Sequence, residues 1–105
     1  MWEARELHCI GNGHDKFYRI IQAGPVVVIR YGRRGTEGQR QVKVFNSSHE
    51  ANYFFNDTVE NKRWRRNYTV VYTDRRPRDV AVPTQEDEIE RDYLTRYPDV
   101  APVQA

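Results

Sequence analysis

Four short segments in the first half of the chain carry the apolar patterns that predict β-strands. The first alternates weakly, the second is rich in aromatic and β-branched residues, and the third contains the continuous apolar run Val26–Ile29. In the fourth, Val42 and Val44 point to one face and the residues between and after them to the other. The predicted strands are residues 2–9, 16–23, 26–31 and 40–45.

The period of the apolar residues changes from that of a strand to that of a helix after residue 46. Ser47 and Glu50 match a capping box, in which the serine side chain accepts a hydrogen bond from the backbone three residues later. We expect this helix to run to about Trp64 and to lie on the sheet, and residues 68–72 to form a fifth strand. The helix face that should meet the sheet consists of Ala51, Phe54, Phe55, Thr58 and Val59.

The C-terminal part of the chain has a different composition from the rest. Residues 75–78 predict a basic linker, either a phosphate-binding strap or a solubilising segment, because proline cannot donate to a sheet ladder. A helix is predicted to start after Thr84, and residues 98–105 are expected to fray. The apolar stripe of this helix is Ile89, Tyr93, Leu94 and Tyr97.

These patterns predict an α+β fold, with an antiparallel sheet of about five strands, one main helix and a C-terminal helical appendage. The predicted division is one domain over residues 1–74, followed by a basic linker and an acidic helical tail over residues 75–105. Two arrangements of the acidic helix are open. It lies over the basic surface of the body, or it completes the core on the far side of the sheet.

Charge is distributed unevenly along the 105 residues, although the net charge is only +2. Residues 1–78 hold 15 Lys and Arg against 8 Asp and Glu, whereas residues 79–105 hold 2 against 7. A basic body with an acidic tail is one footprint of a polyanion-binding protein, and it also occurs in proteins that bind no nucleic acid.

A cytoplasmic location is predicted from what the sequence lacks. No apolar run approaches the roughly 20 residues of a membrane span, and the N-terminus does not read as a signal peptide. Cys9 is the single cysteine, which excludes an internal disulfide and fits a reducing compartment.

The loop after the third predicted strand is the strongest candidate for a binding site. Tyr31, Gly32, Arg33 and Arg34 combine an aromatic face for stacking, a glycine that permits close approach, and planar guanidinium groups suited to phosphate. This combination is typical of a contact with a nucleic-acid backbone. A glycine-rich hairpin loop with solvated arginines is the alternative.

A second group of cations lies at the end of the predicted helix. Lys62, Arg63, Arg65 and Arg66 flank Trp64 there. Cations at a helix C-terminus also complement the helix dipole, so these side chains are either phosphate contacts or a solvated face. Trp64 is predicted to be mainly structural, at the edge of the core.

The order and spacing of these residues, over about residues 14 to 73, resemble the WGR domain, best known from DNA-dependent poly(ADP-ribose) polymerases. The signature tryptophan of that family is Tyr31 here, which keeps an aromatic face but loses the indole N–H. The matching anchors are Lys16–Ile20, Tyr31-Gly32-Arg33, Phe45, Ala51, Phe55, Glu60–Trp64 and Tyr68.

The resemblance implies a small stand-alone module that binds nucleic acid, with DNA ends or nicks as the expected ligand. In relatives the position of Lys16 lies beside the broken end, and that of Tyr68 lies near a contact with the DNA end. Packing of Tyr68 in the sheet is the alternative. The nucleic-acid-binding residues predicted in this way are Tyr31, Gly32, Arg33, Arg34, Lys16, Arg40, Lys62, Arg63, Arg65, Arg66 and Tyr68.

Nothing in the sequence predicts catalysis, a metal site or a cofactor. His8, His14 and His49 fall in separate segments, Cys9 offers only one thiolate, and no nucleotide-binding fingerprint is present. In the polymerases catalysis resides in a separate domain, so this chain is not expected to be an enzyme. A module that binds a partner protein without nucleic acid is the alternative function, because WGR domains also contact neighbouring domains. The oligomeric state is open.

Overall fold

A sheet of five antiparallel strands forms the centre of the structure, which is a computed structural model describing residues 1–103. The strands are β1 (Trp2–Gly11), β2 (His14–Ala23), β3 (Val26–Arg33), β4 (Gln39–Val44) and β5 (Thr69–Arg76). Their order across the sheet is β4-β3-β2-β1-β5, so the first four strands form a meander and β5 pairs with the free edge of β1. All five strands overlap their predicted positions.

Helix α1 (Ser48–Arg65) covers one side of the sheet, and we term this side the α1 face. The helix is capped as predicted, because the backbone N–H of Glu50 donates to the Ser47 side chain at 3.1 Å. Phe54 and Thr58 lie at the margins of the contact and are partly buried, as the predicted helix face requires. The buried residues of this core are Ala51, Phe55 and Val59 from α1, and Leu7, Tyr18, Ile20, Val27 and Ile29 from the sheet.

Helix α2 (Glu86–Arg96) covers the opposite side, which we term the α2 face. Ile89 and Tyr93 are fully buried there. Both faces of the sheet are apolar, so each must be covered to keep its side chains out of water. The helix therefore completes a second core on the far side of the sheet, and the predicted α+β fold is confirmed. The sheet residues of this core are Trp2, Ala4, Ile21, Ala23 and Val28.

Hydrogen bonds and ion pairs also attach α2 to the sheet. Arg30 of β3 donates to both carboxylate oxygens of Glu90, at 2.9 and 2.8 Å. The buried pair of Arg19 and Glu6 is joined at 2.7 Å, and the Tyr93 hydroxyl donates to Glu6 at 3.2 Å. Burial, and then the charge of Glu6, raises the pKa of Tyr93, so its hydroxyl remains a donor.

Strand β5 continues through Arg75 and Arg76, which the sequence predicted to lie in a linker. Both residues pair with the start of β1. The guanidinium of Arg76 lies 3.8 Å from the centroid of the Trp2 ring and donates to Asp92 at 2.7 Å. The placement in a linker was wrong because an aromatic face and a carboxylate of α2 receive this arginine, and the strand ends only before Pro77.

The last described residues also contact the body, whereas the sequence predicted fraying from residue 98 onwards. Pro98–Val100 forms a short 3-10 helix. Beyond it, the backbone N–H of Val103 donates to the carbonyl of Gly35 at 3.0 Å. Residues 104–105, which belong to the same prediction, lie outside the described residues.

We expect Ile89→Ala to lower the free energy of unfolding by about 2–5 kcal/mol, because it removes a fully buried side chain from the core under α2. Urea unfolding followed by circular dichroism measures the change. Arg91→Ala is the matched control, since it lies on the same helix and is exposed. A loss below about 0.5 kcal/mol for Ile89→Ala, the range of surface substitutions, would contradict the docking of α2.

Candidate nucleic-acid interface

The ladder between β2 and β3 places the central predicted residues on the α1 face. Lys16 is opposite Arg33, and Tyr18 is opposite Tyr31. Opposite residues of an antiparallel pair share a face, and Tyr18 belongs to the core under α1. The side chains of Lys16, Arg33 and Tyr31 therefore stand on the same side of the sheet as α1.

The glycines of the loop after β3 allow it to fold closely on itself. A Cβ atom on Gly32 would lie 3.0 Å from the Cα of Gly38, and Gly38 adopts a left-handed φ of 73°. Larger residues would push the two sides of the loop apart. Gly32 thus has a local structural role in placing Tyr31 and Arg33.

Three tyrosines form a row across the α1 face. The rings of Tyr31 and Tyr18 are stacked with their centroids 6.1 Å apart, and Tyr68 meets Tyr18 edge-on at 6.3 Å. The hydroxyl of Tyr31 donates to Gln39 at 3.0 Å. Tyr18 is buried as predicted, whereas Tyr31 and Tyr68 are half-buried, so part of each of these two rings is open to a ligand.

Two lysines lie over this row of rings. The Nζ atom of Lys62 is 4.4 Å from the centroid of Tyr18 and 5.8 Å from that of Tyr68, and Lys16 Nζ is 5.7 Å from Tyr68. Within residues 1–103, neither lysine forms an ion pair. The negative faces of the rings hold the two cations here, with no carboxylate to neutralise them.

Burial and neighbouring charge change the titration of these groups. Burial first, and then the charges of Arg66 and Lys16, lowers the pKa of Lys62. Burial raises the pKa of Tyr18 to about 12, so this phenol stays neutral. An anion bound beside Lys62 would offset the repulsion from the other cations and so stabilise its ammonium form.

A cleft of about 450 Å³ lies between the end of α1 and the hairpin that joins β1 to β2. Asn67 follows the C-cap residue of α1 with a left-handed φ of 60°, and the backbone N–H of Tyr68 donates to the carbonyl of Lys62 at 3.0 Å. This turn brings Tyr68 beside the last cations of the helix. The cleft is lined by Cys9, Ile10, Gly11, Asn12, His14, Lys16, Lys62, Arg65, Arg66, Asn67 and Tyr68, without a carboxylate.

The loop and the cleft are continuous through Lys16. A second depression, of about 510 Å³, lies under the loop and includes Gly32, Arg33 and His14. Lys16 lines both it and the cleft. The structure thus brings together eight of the predicted residues, which we call the cationic surface: Lys16, Tyr31, Gly32, Arg33, Lys62, Arg65, Arg66 and Tyr68.

Three other predicted residues lie apart from this surface. Arg40 is on the α2 face, where its guanidinium is 2.5 Å from Asp87 and also contacts Glu90 at 3.2 Å. Arg34 is paired with Asp15 at 2.6 Å, where β2 begins and β3 ends, beside the C-terminal segment. A third cation, Arg63, lies 3.8 Å from Glu60 on the outer side of α1 and does not line the cleft.

The cationic surface differs from the α2 face in how its cations are neutralised. On the α2 face, Arg19, Arg30 and Arg76 all pair with carboxylates. On the α1 face, Arg5 and Arg75 pair with Glu3, whereas the cations of the cationic surface form no ion pair within residues 1–103. The arrangement in which the acidic tail covers the basic surface is wrong, because α2 uses its carboxylates on the opposite face.

Trp64 is exposed, contrary to the prediction that it is structural. The residue is 71% exposed, and its indole N–H donates to Glu60 of the same helix at 2.6 Å. Val59 and Lys62 occupy the side of α1 that faces the sheet, so the helical period turns Trp64 outwards.

Tyr18, His14 and the two asparagines of the cleft were not among the predicted site residues. Alternation along β2 contains a signal for Tyr18, since it stands two residues from Lys16 and on the same face. No comparable signal exists for Asn12 and Asn67, because a distant pairing of chain segments creates the cleft. Within the part of the chain described, no group of three or more His, Cys, Asp or Glu side chains is placed to hold a metal ion, and no helix is long and apolar enough to cross a membrane.

Comparison with known proteins identifies the family. The sequence matches the WGR domain over residues 3–75. The chain belongs to the WGR family. The WGR domain is a binding domain and not a catalytic one, and it is in general a nucleic-acid-binding module. The resemblance recognised from the loop and its neighbours is therefore confirmed.

The fold also has a counterpart among solved structures. It is similar to the crystal structure of a protein from Bacteroides fragilis, with a TM-score of 0.62 and 26% sequence identity. The similarity covers 85% of this chain and 26% of that one, so the WGR chain spans about a quarter of the length of its structural relative. Comparison with curated proteins gives no match.

We expect the pKa of Lys62 to lie below the ordinary value of a lysine side chain, because burial and the neighbouring cations disfavour its ammonium form. Nuclear magnetic resonance of the Lys62 side chain, recorded against pH, measures this pKa. Arg66→Gln should raise the pKa of Lys62, whereas Arg63→Gln should leave it unchanged. An Arg66 variant with no effect would mean that the two cations do not share the cleft.

Proposed function

We propose that this chain is a small, non-enzymatic DNA-binding module, which contacts the phosphate backbone and strand ends through the cationic surface. Residues 1–74 carry that surface in the proposal, and the residues after them complete the α2 face. The expected ligand is DNA with an end or a nick.

One observation carries the proposal, namely the cluster of unpaired cations around the tyrosines of the cationic surface. Lys16, Arg33, Lys62, Arg65 and Arg66 form no ion pair within residues 1–103, and they surround a row of aromatic rings. Keeping these cations unpaired and close together costs repulsion, which an incoming polyanion relieves. Phosphate groups of nucleic acid provide such a polyanion at regular spacing.

The arrangement favours recognition of charge and shape over recognition of base sequence. Lysine and arginine contacts with phosphate position a duplex without reading bases. The exposed parts of the Tyr31 and Tyr68 rings offer stacking surfaces, which need a sugar or base that is not enclosed in a continuous duplex. Ends and nicks provide such surfaces, and this is why they are preferred in the proposal.

Tyr31 differs from the tryptophan of the family signature in area and in hydrogen bonding. Its hydroxyl donates a hydrogen bond to Gln39, which orients the ring. A tryptophan could donate only through its ring N–H, which lies at a different position. One side of the Tyr31 ring packs against Tyr18 and the core under α1. We propose that Tyr31 presents its open side to the ligand and that the smaller ring weakens stacking relative to tryptophan.

A second candidate function rests on the outer side of α1. Tyr53 and Trp64 are 76% and 71% exposed. They are eleven residues apart, which is about three turns of helix, so they lie on the same side of α1. Exposed aromatic side chains of this size are typical of protein contacts. In this alternative, the chain binds a partner protein through the helix and needs no nucleic acid.

We expect Arg33→Ala to weaken binding to a nicked duplex by about 1–3 kcal/mol, the scale of a lost charge-assisted contact. Fluorescence anisotropy with a labelled oligonucleotide measures the affinity. Arg91→Ala removes the same charge from α2 and should change the affinity far less, which controls for net charge. Equal losses in the two variants would show that the loop has no special part in binding.

A salt titration separates the two candidate functions. For DNA binding through three to five phosphate contacts, log Kd against log salt concentration should have a slope of about 3 to 5. The same experiment on nicked, blunt-ended, single-stranded and closed circular DNA should give the tightest binding for nicked or blunt-ended duplex. Absence of binding to every form at low salt would leave the protein-binding alternative.

A further inference from the structure

The segment after α2 returns to the sheet and reaches the loop that follows β3. This segment, residues 98–103, lies outside the part of the chain that matches the WGR domain. It touches the body at three places, through Asp99, Val100 and Val103. We term it the C-terminal strap.

Two of its contacts are made on the α2 face. The guanidinium of Arg19 donates to the carbonyl of Val100 at 3.0 Å, while it also pairs with Glu6. The hydroxyl of Tyr72 donates to the carboxylate of Asp99. Arg19 is only 3% exposed, so this end of the strap is attached to a rigid part of the structure.

The third contact is made with the loop itself. The backbone N–H of Val103 donates to the carbonyl of Gly35 at 3.0 Å. Every residue from Arg34 to Gly38 is exposed, so the loop has no packing of its own to fix it. Its other hydrogen bonds run from the backbone and hydroxyl of Thr36 to the carbonyl of Arg33, and from the backbone N–H and guanidinium of Arg34 to Asp15.

We infer that the C-terminal strap positions the loop for binding, so that docking of the strap and binding of DNA at Arg33 are coupled. The inference rests on the proposed function and deepens it, because it assigns a binding role to a segment outside the matched family region. Arg33 leaves the sheet immediately before the loop, and its carbonyl accepts both hydrogen bonds from Thr36. The strap therefore restrains the same turn that orients the Arg33 backbone.

Coupling of this kind works in both directions. A strap that holds the loop in its binding conformation reduces the ordering that the ligand would otherwise impose. By linkage, a ligand bound at the loop must hold the strap in place to the same degree. The strap is thus a positioning element, and it acts without touching the ligand.

Val103→Pro tests the inference, because proline removes the backbone donor to Gly35. The side chain of Val103 is 79% exposed, so the substitution disturbs no core, and Val103→Ala is the matched control that keeps the donor. Hydrogen exchange of the Arg34 and Thr36 amides should accelerate several-fold in Val103→Pro and not in Val103→Ala. Affinity for a nicked duplex should fall by about 2–10-fold, the worth of one hydrogen bond, at unchanged melting temperature.

Tyr72→Phe provides an independent test at the other end of the strap. It removes the hydroxyl that donates to Asp99 and keeps the ring that stacks on Tyr97 at 4.7 Å. We expect the same acceleration of loop exchange, measured without any ligand. Unchanged exchange in both variants would overturn the inference. Faster exchange in a chain that binds no DNA would support the positioning role and reject the proposed function.

Discussion

The sheet is apolar on both faces, and this constraint determines the rest of the structure. The side chains of Leu7, Ile20 and Ile29 point to one side, and those of Trp2 and others point to the opposite side. Neither set can remain in water, so the chain needs a helix on each face. Helix α1 comes from within the WGR region and α2 from beyond it. The matched region therefore covers only one face of its sheet, and the acidic helix α2 covers the other.

The second consequence of this constraint is electrostatic. Because α2 carries most of the carboxylates of the C-terminal part, its docking neutralises the arginines of the α2 face, such as Arg30 and Arg76. The cations of the cationic surface receive no such partners, and Lys62 lies over aromatic rings instead of beside carboxylates. A net charge of +2 thus conceals a strongly one-sided distribution. This one-sidedness gives the cationic surface its attraction for a polyanion, which is longer in range than any single contact.

The candidate site is built from segments of different rigidity. Tyr18 and Lys16 stand on a central strand with neighbours on both sides, so their positions are fixed by the ladder. The loop after β3 is exposed, and its position depends on glycine geometry and on contacts with Asp15 and the C-terminal strap. Binding residues on an exposed loop that is held by a rigid sheet are a common arrangement in proteins.

Local patterns in the sequence were sufficient for the strands, the capped start of α1, and the order of residues that indicates a WGR domain. Alternation, turn residues and capping act between neighbours, so they can be read without knowing the topology. Trp64 and Arg76 were placed wrongly for the opposite reason. The exposure of Trp64 depends on the rotation of α1 over the sheet. The burial of the Arg76 side chain depends on Trp2, which lies more than seventy residues away in the sequence. The sequence by itself determined which elements form and which residues are able to bind phosphate. Only the tertiary structure decided which cations are neutralised, because ion pairs such as Arg30 with Glu90 join residues that only the packing of α2 on the sheet brings together.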